Sequence, residues 1–541
     1  MKKRWTSDEP TGNYSQGIVS FQPMKAFCIL LILIILVPNL WSQEIRAHKC
    51  GFGDPELRLS KRASPQLRNL DFLDESILSP SGEFRIHFTR TGSHAVLGGE
   101  SSGTPEFVTE AAIAADSAYS ILVGELGFLP PLPDGNIDGS ELDIYIKNWG
   151  GSYYGMTYFG NSAPSPAYLV IDNDYTEASY TTSGLQALRV TIAHEFFHMV
   201  QVRYAYPGEL NWDNVYWYEI SSVWFEEYCY PEVNDYLAYV ETNFNASQFP
   251  ALDSYNYMYG HGIYGQVLDK EYGTRENKHI MLDLWENLSN KNAMDNLEQI
   301  LSSSPWNSSL TDALSKYALY NVFTGSRTIA GLYYDDAIEL IEVHTQQYDI
   351  PLDYTASFDF ALGELEISYR TFTIPGSNDF YTRGIDLDPD QRAFLTYHDP
   401  TAGSSLKGAL EAFWVPCSNV SDQDYLLFPL INGNREDGAE FTLSFEANTL
   451  GLEDTIQTLW PNPSMLKNGP IHLNVILSSS GTLKFNVYNI LGQPVYQEEF
   501  DRPKGIHILD LKLPADTPSG IYFLKLISDK QVMSRKFTVL K

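Results

Sequence analysis

The segment His194-Glu195-Phe196-Phe197-His198 constrains the chain most, because it lies within an uninterrupted helix-like stretch from about Ser183 to Tyr204. Helical residues four positions apart lie one turn apart on the same face, so the two imidazoles can bind one metal ion. Glu195 beside them can take a proton from a water molecule. Chance gives His-Glu-x-x-His only about 0.01 times in a chain of this composition. The motif therefore predicts a zinc site, and the alternative is a pair of structural histidines on a buried helix.

A catalytic zinc site needs a third protein ligand and an open fourth position. A second helix-like stretch begins at Trp217 and carries Glu219. The 20 residues between His198 and Glu219 are enough for the chain to turn near Pro207-Gly208 and return antiparallel. Glu226 follows two turns later and faces the same way, although a solvated acidic face is the alternative for this residue. The expected site comprises His194, His198 and Glu219 as zinc ligands, Glu195 as general base, and Glu226 as the carboxylate that holds the far nitrogen of a ligand imidazole.

This arrangement resembles the gluzincin branch of the zincin metallopeptidases, in which a Glu beyond the His-Glu-x-x-His motif is the third ligand. The region from Ser81 to about Glu342 also resembles secreted metalloproteases of gliding bacteria, through Ser-Gly-x-Phe-Arg-Ile-His before the motif and Tyr-Gly-x-Gly after it. The aminopeptidase relatives carry Gly where this chain has Ile220, and no Gly-x-Met-Glu-Asn motif occurs. The resemblance therefore implies an endopeptidase.

Such an enzyme also needs a donor to the oxyanion that forms during hydrolysis, usually a Tyr or a His. The segment from Tyr257 to Tyr264 is the richest local source of both residue types. Tyr259 and His261 are the candidates for this catalytic role. The alternative is that this aromatic cluster belongs to the hydrophobic core.

A calcium site is suggested by Asp134, Asn136 and Asp138, which match the first half of a D-x-N-x-D-G loop. Position twelve of that loop is Tyr145 rather than the bidentate Glu. An ordinary turn before a strand is the alternative.

The apolar run from Ala26 to Val37 is twelve residues long, which is too short to cross a bilayer that requires about 20. It indicates a signal peptide over residues 1–42, with Met24 as the expected true start. No comparable run follows, so we expect no transmembrane helix in the mature chain.

Residues 43–80 are basic and irregular, and we interpret them as a pro-segment or leader. Cys50 in this segment could supply a thiolate as the fourth zinc ligand and hold the enzyme latent until the segment is removed. Neighbouring cations such as Lys49 are expected to lower the thiol pKa. The alternatives are an idle thiol or a disulfide to Cys229 or Cys417.

The order of periodic segments predicts the fold class. Strands and one Ala-rich helix precede residue 182, and helical segments dominate from there to about residue 345. We therefore predict an α+β zincin-like catalytic domain at 81–350, with a mixed sheet followed by a helical half. Short β-rich runs separated by Asn, Asp and Gly predict two small all-β sandwich domains, at 355–450 and 455–541.

The last domain contains Pro461-Asn-Pro463, Gly492-Gln-Pro-Val495 and Gly520-Ile-Tyr522. It resembles the C-terminal sorting domain of the type IX secretion system of Bacteroidetes. The resemblance implies binding to that secretion machinery, passage through the periplasm and outer membrane, and a secreted or cell-surface location, with the domain removed at or after transit. An immunoglobulin-like accessory module that stays attached is the alternative.

The formal charge is 36 − 68 = −32, which argues against nucleic acid as a partner because phosphate binding requires clustered cations. The predicted function is that of a secreted zinc endopeptidase acting on proteins or peptides. The alternative is a surface adhesin or glycan-binding protein with an inactive zincin-like domain, in which the 35 Tyr and 10 Trp would form carbohydrate platforms. The intact Glu195 favours the enzyme.

Overall fold

The structure of the chain is a computed structural model. It describes residues 47–53, 73–132, 139–160, 163–205, 210–376, 380–385, 387–399, 401–410, 415–417, 423–447, 455–460, 464–465, 471–477, 480–502, 505–514, 516–529 and 531–540. The predicted signal peptide and the predicted calcium ligands Asp134, Asn136 and Asp138 lie outside these residues.

The N-terminal part contains a six-stranded mixed sheet. Its strands are β1 (His48–Cys50), β2 (Glu75–Leu78), β3 (Phe84–Phe88), β4 (Leu142–Ile146), β5 (Tyr153–Phe159) and β6 (Ala167–Ile171). In the order β1-β5-β6-β4-β3-β2, the strands β3, β4 and β6 run parallel, whereas β5 is antiparallel to β6 and parallel to β1. The predicted strands β3, β4 and β6 are confirmed. Two further strands, β1 and β2, come from the predicted pro-segment.

Helices cover one face of this sheet and form the following half of the region. They are α1 (Glu106–Tyr119), α2 (Gly184–Tyr204), α3 (Val215–Cys229), α4 (Leu237–Phe244), α5 (Gly262–Tyr272), α6 (Ile280–Leu288), α7 (Ala293–Ser302) and α8 (Leu310–Val322), with a short hairpin of β7 (Thr274–Arg275) and β8 (Lys278–His279). The helix α2 lies between β5 and β6 on one side and α1 and α3 on the others. Because it is surrounded, it is buried on every face from Ala187 to Val202 except at Arg189, and has no polar stripe.

One helical stretch among the described residues, Glu106–Glu125, is long and apolar enough to cross a membrane, with a mean hydropathy of 1.2. It comprises α1 and a π-helical turn that continues it. Its small residues Ala111, Ala115 and Ala118 are buried where α1 packs on α2 and β3. Packing in the core therefore accounts for its apolar composition.

The described residues between 346 and 447 form two mainly antiparallel sheets that face each other. Their strands are β9 (Gln346–Asp349), β10 (Ala356–Leu362), β11 (Ile367–Thr373), β12 (Phe380–Ile385), β13 (Gln391–Asp399), β14 (Gly403–Leu410), β15 (Val415–Cys417), β16 (Tyr425–Asn432) and β17 (Ala439–Ala447). The sheet orders are β10-β17-β12-β15 and β14-β13-β16-β11-β9. Phe372, Phe428 and Phe445 pack together in the core between these two sheets. Tyr369 and Ile431 belong instead to the core of the helical half.

The C-terminal region is a second β-domain with its own core. Its strands are β18 (Thr455–Trp460), β19 (Ser464–Met465), β20 (Ile471–Leu477), β21 (Gly481–Asn489), β22 (Pro494–Arg502), β23 (Gly505–Leu511), β24 (Gly520–Ile527) and β25 (Val532–Leu540). They form sheets of order β18-β20-β23 and β19-β25-β24-β21-β22, around a core that includes Phe485, Leu524 and Phe537. The predicted order of a mixed α and β region followed by β-rich parts is confirmed.

Candidate metal centre

The site forms where α2 and α3 pack side by side in opposite directions. Gln201 near the end of α2 donates from Nε2 to the carbonyl of Tyr218 near the start of α3, at 2.9 Å. His194, two turns earlier on α2, lies 2.6 Å from Glu226, two turns later on α3. The antiparallel return expected from the sequence is therefore observed, and it carries Glu219 to the two histidines.

Three ligand atoms converge at this contact. His194 Nε2 lies 3.1 Å from His198 Nε2 and 3.1 Å from Glu219 Oε2, and His198 Nε2 lies 3.5 Å from the same oxygen. Ligands about 2.0–2.1 Å from a tetrahedral zinc ion are separated by about 3.3–3.4 Å, so the three separations are close to those that such an ion requires. All three residues are buried.

The neighbouring hydrogen bonds determine which ring nitrogens are free. The Glu226 carboxylate accepts from His194 Nδ1, and Gln201, whose amide nitrogen donates elsewhere, presents its oxygen to His198 Nδ1 at 2.7 Å. Each Nδ1 therefore carries the proton, and each Nε2 faces the site as an acceptor. Two ring nitrogens and a Glu219 oxygen that meet in a buried space are stabilised by a proton or a metal ion between them.

The charges of these histidines and carboxylates also shift the pKa values of His194 and Glu219. Burial works to lower the pKa of His194, but hydrogen bonds to Glu219 and Glu226 outweigh it and raise that pKa to about 9. Burial works to raise the pKa of Glu219, but the charge of His198 and hydrogen bonds from both histidines lower it to about 2. The carboxylates thus favour a positive charge at this position, whether a proton or a metal ion provides it.

Glu195 lies beside the ligands and is fully buried. The Thr157 hydroxyl on β5 lies 2.7 Å from Glu195 Oε2 and 2.8 Å from its main-chain oxygen. The Cys50 thiol also lies against the Glu195 carboxylate. Gly155 permits this close approach of β5, because a Cβ there would lie 2.9 Å from Glu195 Cγ and 2.6 Å from the Thr191 methyl group.

Cys50 also reaches the site. Its Sγ and the ligand atoms of His194, His198 and Glu219 all lie within 4.8 Å of one another. Cys50 forms no disulfide with Cys229 or Cys417, so the disulfide alternative is wrong.

The expected effect of Lys49 on this thiol is also wrong. Lys49 donates to Glu226 at 2.6 Å and to Asp235 instead. Burial, with the charges of Glu195 and Glu219, raises the pKa of Cys50 well above its ordinary value in the absence of metal.

The two candidate oxyanion donors lie in different places. The Tyr259 ring is 6.4 Å from that of His194, and its hydroxyl is 3.4 Å from the Cys50 carbonyl oxygen, so Tyr259 borders the site. His261 is buried, with Nδ1 3.0 Å from the Tyr317 hydroxyl and its ring against Phe249. The prediction for His261 is therefore wrong: its ring belongs to the hydrophobic core, where burial lowers its pKa to about 3.

A second group of possible metal ligands comprises Asp172, Asp174 and Glu177 in the loop after β6. Asp172 is buried and accepts hydrogen bonds from the backbone N–H groups of Trp149, Asp174 and Tyr175. These bonds give the Asp172 carboxylate a structural role in shaping the loop.

Comparison with known proteins identifies the C-terminal domain. Residues 458–540 match the family described as "secretion system C-terminal sorting domain". No curated protein matches the chain. The match confirms the predicted sorting domain, including the type IX secretion machinery as its partner.

Solved structures give only distant similarity. PorZ, a surface component of the type IX secretion system of Porphyromonas gingivalis, has 13% identity over 21% of this chain and 15% of its own, with a TM-score of 0.14. PliG, a periplasmic inhibitor of g-type lysozyme from Salmonella Typhimurium, has 7% identity over 19% of this chain and 97% of its own, with a TM-score of 0.15. A β-D-mannosidase from Dictyoglomus thermophilum has 13% identity over 32% of this chain and 29% of its own, with a TM-score of 0.12. Scores this low do not establish a common fold.

The sorting-domain match indicates that the chain is exported through the type IX secretion system to the cell surface or the extracellular space.

Proposed function

We propose that residues 81–350 form a zinc-dependent endopeptidase. The observation that carries this proposal is the position of Glu195, a buried carboxylate that follows His194 on α2 and is held by Thr157 beside the acceptor atoms of His194, His198 and Glu219. A buried carboxylate beside metal ligands is suited to accept a proton during a reaction. The three ligands with this base are the elements that metal-assisted hydrolysis requires.

The chemistry can be divided among the residues present. A zinc ion held by the three ligands would act as a Lewis acid toward water and a peptide carbonyl. Thr157 holds one oxygen of Glu195, so the other can take the proton of the attacking water and deliver it to the leaving amine nitrogen. The hydroxyl of Tyr259, at the border of the site, is the candidate donor to the oxyanion.

Two features favour a polypeptide substrate over a glycan. An extended segment of this chain, β1, already lies along β5 with Cys50 at the ligand set, so the site accommodates extended polypeptide. Many tryptophan and tyrosine side chains, including Trp217, Trp224 and Tyr218, are buried in the core and cannot form a carbohydrate platform. This reduces the support for an adhesin.

The test is metal analysis combined with casein hydrolysis by the exported protein. We expect one zinc ion per chain, loss of hydrolysis with a chelator and recovery when zinc is added back. The Glu195→Gln variant, which keeps all three ligands, is the matched control and should bind zinc without hydrolysing casein. Zinc binding with no chelator-sensitive hydrolysis in either the wild type or the Cys50→Ser variant would favour the adhesin instead.

A further inference from the structure

The residues 47–53, here called the N-terminal strap, lie in the site rather than apart from it. Their strand β1 extends the sheet by pairing parallel to β5, with His48 opposite Tyr153 and Cys50 opposite Gly155. The strap therefore runs past the same glycine that brings β5 close to Glu195. Ala47, Lys49, Cys50 and Phe52 are all buried.

Contacts on both sides of Cys50 hold the strap in this position. The Lys49 ammonium is buried between Glu226 and Asp235, and Glu226 is the residue that orients His194. The Phe52 ring stacks on the His198 imidazole, with ring centres 4.1 Å apart and planes within 7°. Residues on both sides of the cysteine thus contact metal-site residues, which restricts where the sulfur can lie.

The sulfur itself is positioned as an acceptor. The backbone N–H of Phe52 donates to Cys50 Sγ at 3.1 Å. A hydrogen bond to sulfur orients a thiolate and stabilises its charge. Two imidazoles, a carboxylate and a sulfur within 4.8 Å are four ligands of the types that zinc binds tetrahedrally.

We propose that Cys50 is the fourth ligand of the metal and that the strap keeps the enzyme latent in the exported precursor. This inference rests on the proposed function. A zinc ion with four protein ligands has no position for the attacking water, as in structural sites. The thiol loses its proton to solvent when it binds, and the strap presents a side chain rather than a peptide carbonyl to the ligands. It therefore blocks the site without being a substrate.

The first experiment reports coordination without using activity. The full chain, loaded with cobalt(II) in place of zinc, should show a sulfur-to-cobalt charge-transfer band in the near ultraviolet. Cys50→Ser should lose that band and still bind one cobalt ion through the other three ligands. Cys229→Ser, which changes a thiol outside the site, should keep the band. A band that persists in Cys50→Ser would overturn the proposal.

The second experiment measures latency in the same full-length zinc proteins. A site that is closed in 99 of 100 molecules is about 100-fold less active, so Cys50→Ser should hydrolyse casein about 100-fold faster than the wild type. Phe52→Ala, which keeps the cysteine and loses the ring stacked on His198, should be activated to a smaller extent. Equal activity of all three proteins would overturn latency.

The two proposals fail in different ways. If the wild type is already fully active and Glu195→Gln abolishes that activity, latency is wrong and the peptidase remains. If the cobalt band is present but Cys50→Ser hydrolyses nothing, the coordination stands and the peptidase is wrong. The double variant Cys50→Ser, Glu195→Gln gives a further distinction. If it hydrolyses casein as fast as Cys50→Ser does, the proposed role of Glu195 is wrong, and the coordination by Cys50 is unaffected.

Discussion

His194 Nδ1 and Glu226 Oε1 lie 2.6 Å apart, and this contact links the proposed metal ligand to the buried ion pair of the strap. One carboxylate oxygen orients the imidazole and the other accepts from Lys49, so Glu226 serves both at once. Removal of the Glu226 side chain should therefore weaken both metal binding and the attachment of the strap to the site.

Glu219 and Glu226 should differ in how much zinc binding depends on them. Glu226→Ala leaves all three ligands in place and removes the hydrogen bond that orients His194, so we expect about 10–100-fold weaker zinc binding. Glu219→Ala removes a ligand and should weaken binding further. Competition titration with a chromophoric chelator measures both, with Glu241→Ala on the exposed side of α4 as the control. If Glu226→Ala has the larger effect, Glu226 is the ligand.

Glu195→Gln should separate catalysis from metal binding. The amide keeps the shape of the side chain and can still bond to Thr157, but it cannot take a proton. In a Cys50→Ser background, where latency does not interfere, we expect hydrolysis to fall by about 10²–10⁴-fold with one zinc ion still bound. Unchanged hydrolysis would remove Glu195 from the mechanism.

Gly155→Ala should disturb the base through packing alone. The added Cβ would meet the Thr191 methyl group and Glu195 Cγ, and such overpacking costs about 1–3 kcal/mol of stability. We expect lower casein hydrolysis with zinc content preserved, because the clash moves Glu195 and not the ligands. Gly103→Ala is the matched control, since a Cβ there meets nothing within 4 Å. Equal effects of the two changes would contradict this explanation.

Stability should depend on pH through Glu227. Burial, followed by the charges of Asp336 and Glu226, raises its pKa from 4.5 to about 8. The folded state thus holds a proton that the unfolded state releases, and the stability this contributes is full below pH 4.5 and lost as the pH rises through 8.

Glu227→Gln should remove that dependence, because the amide stays neutral. Its melting temperature relative to the wild type should rise between about pH 5 and about pH 9. The exposed Glu241→Gln should show no such change. A constant difference across this pH range for Glu227→Gln would contradict the raised pKa.

Export should require the sorting domain. A chain that ends before residue 455 lacks the region matched by the sorting-domain family, and we expect it to remain inside the cell envelope. Immunoblots of cell and medium fractions measure this. A full chain with Lys484→Ala, an exposed change in β21, is the control and should be exported normally. Export of the shortened chain would contradict the assignment.

Short-range patterns made much of the site predictable. The positions of His194 and His198 depend only on helix geometry, and Glu219 needs only one turn between two helices. The strand β5, which holds Thr157 and Gly155, was not predicted. It is buried on both faces and interrupted by glycine, so it lacks the alternation that identifies a half-buried strand.

Contacts distant in sequence could not be predicted. Lys49 and Asp235 are 186 residues apart, and no local pattern indicates that they meet. His261 was misassigned for a related reason: its sequence neighbour Tyr259 borders the site, but the histidine ring points toward Tyr317 in the core. The contacts of Gln201 and Ser222 with His198 could have been predicted from the sequence. Gln201 follows His198 by one helical turn, and Ser222 follows Glu219 by one helical turn.

The arrangement of the hydrophobic cores has a consequence for cooperativity. Tyr369 and Ile431 of the first β-domain belong to the core of the helical half, whereas the core around Phe485 draws its described residues from the C-terminal domain alone. The first β-domain cannot unfold without opening the core shared with the helical half. We therefore expect the described residues to unfold as two cooperative units rather than three, and removal of the sorting domain should take away one whole unit while the other keeps its core.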